Sequence, residues 1–158
     1  MRRTLIVGLL AIAGVLGRPS PASADVTFFL GFSPTPDYRL TRGIAAGINM
    51  AIVGFEFDYS YTSPDETNGV PSLRTGMMNV LVMTPTKTQL YVTAGGGAFR
   101  ESLNGVSTTN FGTNIGGGVK FGLFGPVRVR LDYRIFNLRG GPLETRPQRF
   151  YAGLNMTF

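Results

Sequence analysis

The 158-residue chain contains no cysteine and no histidine, which excludes disulfide staples, thiolate metal sites, thiol nucleophiles and every mechanism built on an imidazole base. Charged residues make up 15% of the chain and there are 22 glycines, so charge falls below its usual share of about 25% while glycine is roughly twice its ordinary share. The formal charge is +6, but Arg2, Arg3 and Arg18 lie in the first 24 residues, and the excess that remains is too small to argue for nucleic acid.

Arg2 and Arg3 precede an apolar run from Leu5 to Leu16, and Ala22-Ser23-Ala24 follows with small residues at both positions a signal peptidase reads. Residues 1–24 are therefore read as a signal peptide cleaved after Ala24. The apolar run is shorter than the ~20 residues of a membrane-spanning helix. Residues 25–158 hold no longer apolar stretch, so a membrane form of this chain has to cross with strands.

After Asp25 the chain divides into period-2 segments near 26–33, 41–50, 52–62, 74–84, 88–99, 110–122, 127–138 and 148–158. All prolines from Pro34 onward fall between these segments, where no ladder hydrogen bond is lost. Connections after the second, fourth and sixth segments are short. Those after the first, third, fifth and seventh are longer and more polar, roughly 7 to 13 residues, as in bacterial outer-membrane barrels.

The segments are two-faced. Val53, Phe55, Phe57, Tyr59 and Tyr61 alternate with Gly54, Glu56, Asp58 and Ser60; Val127, Val129, Leu131, Tyr133 and Ile135 alternate with Arg128, Arg130, Asp132 and Arg134. The sixth segment sets Phe111, Ile115, Val119 and Phe121 against Asn114, Lys120 and glycines, and the eighth sets Phe150, Ala152, Leu154, Met156 and Phe158 against Tyr151, Gly153, Asn155 and Thr157. A soluble lipocalin-like barrel has the same period with its faces exchanged. Its solvent surface would then be mostly Gly, Asn, Thr and Ser, whereas soluble surfaces are more charged. Glycine suits a narrow lumen better, and the expected fold is all-β: an eight-stranded antiparallel up-and-down transmembrane β-barrel. Tyr59, Tyr61, Phe111, Tyr133, Phe150 and Phe158 are candidates for its interfacial girdles. The fifth segment is ambiguous, because Tyr91, Thr93 and Phe99 make its two faces alike.

The segment Arg149-Phe150-Tyr151-Ala152-Gly153-Leu154-Asn155-Met156-Thr157-Phe158 resembles the last strand of bacterial outer-membrane proteins. Asn114-Ile115-Gly116-Gly117-Gly118-Val119-Lys120-Phe121 and Val129-Arg130-Leu131-Asp132-Tyr133-Arg134 resemble the glycine strand and the charged strand of the small outer-membrane β-barrel family, which includes the transmembrane domain of outer membrane protein A and the opacity-type porins. The resemblance implies eight strands, both termini in the periplasm and loops outside the cell. It also implies that Phe150, Leu154, Met156 and Phe158 form a signal read by the barrel assembly machinery.

The inward set Glu56, Asp58, Lys120, Arg128, Arg130, Asp132 and Arg134 is nearly balanced in sign. It is read first as an ion-pair plug and second as a porin-like constriction that passes small ions. Glu56 and Asp58 as a glycosidase pair, and Gly95-Gly96-Gly97 or Gly116-Gly117-Gly118 as phosphate loops, lack room and spacing. Arg39, Arg42, Arg100, Arg139, Arg146 and Arg149 are assigned to the longer loops, where they could contact lipopolysaccharide phosphates or support surface adhesion. A lipid-modifying enzyme is disfavoured, since the enzymes of that kind rely on His. The expectation is a monomeric, non-enzymatic outer-membrane barrel without cofactor or metal. Its partners are outer-membrane lipid, lipopolysaccharide and the assembly machinery, with no role for nucleic acid.

Overall fold

The computed structural model describes residues 22–158. Most of the expected signal peptide, including Arg2, Arg3 and the apolar run, lies outside the described residues. Eight strands follow in chain order: β1 (Ser23–Ser33), β2 (Arg39–Met50), β3 (Val53–Thr62), β4 (Ser72–Met83), β5 (Gln89–Leu103), β6 (Val106–Phe124), β7 (Val127–Leu138) and β8 (Gln148–Thr157). Each pairs antiparallel with its neighbour in sequence. Pairing of β1 with β8, from Asp25↔Thr157 to Phe32↔Phe150, closes the ring. Closure leaves no strand edge and gives every strand two hydrogen-bonded neighbours, which is what a sheet needs inside hydrocarbon.

The connections differ from expectation at one place. Residues 51–52, 84–88 and 125–126 make short turns at the end where the two termini meet, and residues 34–38, 63–71 and 139–147 make the loops at the other end. The long loop expected between the fifth and sixth strands is absent. Residues 100–109 instead continue β5 and β6 into a projecting hairpin closed by Asn104-Gly105. Both turn residues have positive φ, 50° and 82°, and Asn-Gly is the pair that tolerates this in a two-residue turn whose twist matches the strands. Beside the turn, Arg100 and Ser102 alternate with Glu101 and Leu103. A hairpin end that projects beyond the barrel is solvated on its outer face and has no need of apolar alternation.

Along the strands the outer wall is apolar, with Phe28, Leu30, Phe57, Met78, Val92 and Ile115 all exposed. On β7, β8 and β1 an aromatic group marks its margin toward the loop end: Phe150 lies 4.3 Å from Tyr133 and 5.5 Å from Phe32 between ring centroids. The ambiguity of β5 resolves with Tyr91, Thr93 and Phe99 all buried in the lumen. Apolar side chains also enter the lumen. Leu73, Met77, Phe99, Phe136 and Leu138 cluster toward the loop end, and Leu81, Met83 and Tyr91 cluster toward the turn end. Between them, Phe29, Ala45 and Tyr151 pack on one wall. Glycines supply the room: a Cβ at Gly118 would sit 2.5 Å from the Tyr91 hydroxyl, and one at Gly116 would sit 2.7 Å from Arg134 Cγ.

Candidate functional site: the lumenal ion-pair network

Alternation on β3 and β7 aims Glu56, Asp58, Arg130, Asp132 and Arg134 inward from opposite walls. Arg130 donates to Glu56 through Nη1 and, at 3.2 Å, through Nη2, which also reaches Asp132 Oδ2 at 3.1 Å. Arg134 donates to Glu56 Oε1 at 2.8 Å, to Asp132 Oδ1 at 3.0 Å and to Asp58 Oδ2. The Tyr91 hydroxyl donates to Asp132 and accepts from Arg130 Nε at 2.8 Å. Each guanidinium thus spends its planar fork on carboxylates held by two different strands, a geometry lysine cannot reproduce.

Two further groups complete the network. Arg149 donates to Asp58 Oδ2 at 3.0 Å and to Ser60 Oγ at 2.7 Å, with its guanidinium over the Phe136 ring at 4.9 Å. Nearer the turn end, Lys120 Nζ meets Asp25 Oδ2 at 2.5 Å, and Asn49 donates to the same oxygen at 2.9 Å. Among the described residues the bridged lumenal charges are four carboxylates, Asp25, Glu56, Asp58 and Asp132, and four cations, Lys120, Arg130, Arg134 and Arg149. These eight charges balance by pairing, which is the condition under which ions tolerate burial.

Several sequence assignments need correction. Arg128 stands outside the ion pairs and donates to Gln89 Oε1 at 2.6 Å. Arg149 and Arg39 are lumenal, not loop residues; Arg39 donates to the Pro71 carbonyl at 2.7 Å and is buried at the loop end. Arg42 and Arg100 lie on strands with their side chains exposed. Only Arg139 and Arg146 of that set occupy a loop. Asp25 and Tyr91 join the network without having been singled out. Phe150, Leu154, Met156 and Phe158 line up on the outer face of β8 and its end.

At the level of the network Arg130, Arg134 and Asp58 are each 0% exposed. Glu56 and Asp58 are both bound by arginine, in a lumen with no space for a glycan. Among the described residues no cluster of three or more metal-ligating carboxylates occurs.

A closed barrel with an apolar outer wall, an aromatic margin and its ion pairs confined to the interior is an integral outer-membrane β-barrel protein. The chain belongs to the outer membrane protein beta-barrel domain family, whose profile matches residues 17–158, and this places it in the bacterial outer membrane. No curated protein matches the sequence. Among solved structures, neisserial surface protein A (NspA) is 18% identical with a TM-score of 0.66, covering 87% of this chain and 96% of that one. The N-terminal β-barrel domain of Pseudomonas aeruginosa OprF is 16% identical with a TM-score of 0.65, covering 86% and 97%. Ail, the attachment invasion locus protein of Yersinia pestis, is 15% identical with a TM-score of 0.50, covering 87% and 97%. The outer membrane enzyme PagL is 12% identical with a TM-score of 0.54, covering 84% and 98%. At these identities the likeness is one of fold.

Proposed function

We propose that this protein is a closed, non-conducting structural barrel of the outer membrane, with its lumen serving as a plug. The observation that carries this reading is the complete burial of Arg130, Arg134 and Asp58 at the centre of the lumen. Apolar clusters toward both ends support it. Conduction would require separating several buried ion pairs at once, and each uncompensated buried charge costs several kcal/mol. The test is single-channel recording on protein refolded into planar bilayers. Silence from both the wild type and Arg130→Ala, with the folded state confirmed by heat-dependent gel mobility, is expected. Steady conductance from the wild type would overturn the reading and restore the porin-like one.

The role is non-enzymatic and monomeric in this reading. PagL shows that the fold also carries enzymes, so the support comes from this chain's own residues. It has neither His nor Cys, and the network carboxylates Asp25, Glu56, Asp58 and Asp132 are bound by arginine or lysine. The outward row Phe150, Leu154, Met156 and Phe158 supports recognition of the last strand by the barrel assembly machinery. Surface binding is the second reading, favoured by the charged loop residues Asp65, Glu66, Glu144, Arg139 and Arg146 and by the fold shared with Ail. Exchanging residues 63–71 and 139–147 for neutral loops tests it: loss of cell attachment supports this reading, and unchanged attachment removes it.

A further inference from the structure

The strands carry three charged side chains on their outer wall, Arg42 on β2, Arg74 on β4 and Arg100 on β5; all other charged strand residues alternate into the lumen. The three belong to one line of register partners, Arg42↔Tyr61↔Arg74↔Arg100. Tyr61 on β3 stands between the first two, and both guanidiniums lie over its ring, at 5.5 and 5.6 Å from the centroid. Arg100 Nη2 donates to Ser107 Oγ at 2.6 Å on β6. None of the three is within salt-bridge distance of a carboxylate among the described residues.

The line marks a boundary. Toward the turn end, the next outward residues are Ile44, Tyr59, Gly76 and Ala98, and beyond them the wall is hydrocarbon-like. Toward the loop end, β4 and β5 continue with Ser72 and Ser102. Outward Arg is costly at the bilayer midplane and nearly free at its interface, and this is the loop end, the extracellular one of such barrels. The line climbs toward that end from β2 to β5, because the strands of such barrels are tilted.

Next to Arg42 an open groove of about 760 Å³ runs along the wall toward the turn end, lined by Phe28, Leu30, Val129, Ala152, Leu154 and Met156, with Arg42 as its one charged lining residue. A cationic head above an apolar trough matches a phosphorylated acyl lipid.

We propose that Arg42, Tyr61, Arg74 and Arg100 form a binding site for the phosphates of an outer-leaflet glycolipid, the lipid A part of lipopolysaccharide, with an acyl chain seated in the groove beneath Arg42. Guanidinium forks donate bidentately to phosphate oxygens, and the Tyr61 ring gathers two of them, at 5.5 and 5.6 Å from its centroid, with Arg100 the register partner of the second. The site is independent of whether the lumen is closed.

The test measures retention of diphosphoryl lipid A by the detergent-refolded full barrel using native mass spectrometry, for the wild type and R42Q/R74Q/R100Q. Binding weaker by at least about tenfold in the variant is expected, with similar weakening when the wild type is given dephosphorylated lipid A. Phosphatidylglycerol at equal concentration is expected to displace little. Equal retention by variant and wild type overturns the proposal, as does indifference to the phosphates. Displacement by phosphatidylglycerol as effective as by lipid A overturns it too, reducing the line to a general anionic surface. Heat-dependent mobility confirms that the variant is folded; should it not refold, R74Q and the wild-type phosphate comparison decide.

Discussion

Arg130 and Glu56 meet from diametrically opposed walls: β7 and β3 are four strands apart in a ring of eight, and the guanidinium spans the lumen to donate twice to the carboxylate. The pair is a cross-brace, and its neighbours Asp132 and Arg134 extend it. Glu56→Leu leaves the lumen with surplus positive charge. We expect a loss of about 3–5 kcal/mol of stability, read from the urea unfolding midpoint in lipid vesicles. Adding Arg130→Leu restores the charge balance, so the double variant is expected to lose less than the sum of the single losses. Strict additivity would show that the two side chains do not act together.

Gly118→Ala and Gly116→Ala are expected to destabilise by about 1–3 kcal/mol, because an added Cβ overpacks the lumen against Tyr91 and Arg134. Gly76→Ala is the control. Its nearest side-chain atom is 3.8 Å away, and its effect on the same unfolding midpoint is expected to be small.

The Asn104-Gly105 turn fixes where the β5–β6 hairpin ends. A short epitope inserted between these residues is expected to be reachable by antibody on intact cells, while one inserted at residues 84–88 is expected to need permeabilised cells. The opposite pattern would invert the barrel in the membrane. Gly105→Val, which forces a β-branched residue to a φ of 82°, is expected to increase cleavage of the hairpin tip by added protease.

Asp65 in the β3–β4 loop accepts hydrogen bonds from the Asn68 side chain at 2.9 Å and from the amides of Asn68 and Thr67. The Asn68 side-chain bond and then its amide hold the carboxyl below its ordinary value of 3.8. Since the folded value is the lower one, this contribution to loop order is present above pH 3.8 and is lost as pH falls through the folded value. Carboxyl titration by NMR is expected to show a lowered midpoint in the wild type that rises in Asn68→Ala.

The barrel was legible because β3, β6, β7 and β8 alternate cleanly and every proline from Pro34 onward lies in a connection. The core of the network was legible for the same reason: Glu56, Asp58, Arg130, Asp132 and Arg134 share parity on two strands. Arg149 carried the same signal, two residues from Tyr151 on the inward face of β8, but its position beside the loop hid it. Asp25 was missed because β1 begins at Ser23, earlier than its apolar pattern starts. The β5–β6 hairpin escaped because strands above the membrane lose the one-sided apolar requirement on which the pattern rests; Asn104-Gly105 was the remaining signal. Arg128 shares the parity but pairs with Gln89, since parity places a side chain and does not choose its partner.

The aromatic group Phe32, Phe150 and Tyr133 occupies one side of the margin at the loop end, and the arginine line occupies the other. Rings settle at the carbonyl level of a leaflet, and guanidiniums reach toward its phosphates. The cylinder therefore has a bow and a stern, and it offers unlike flanks to the molecules drifting past it.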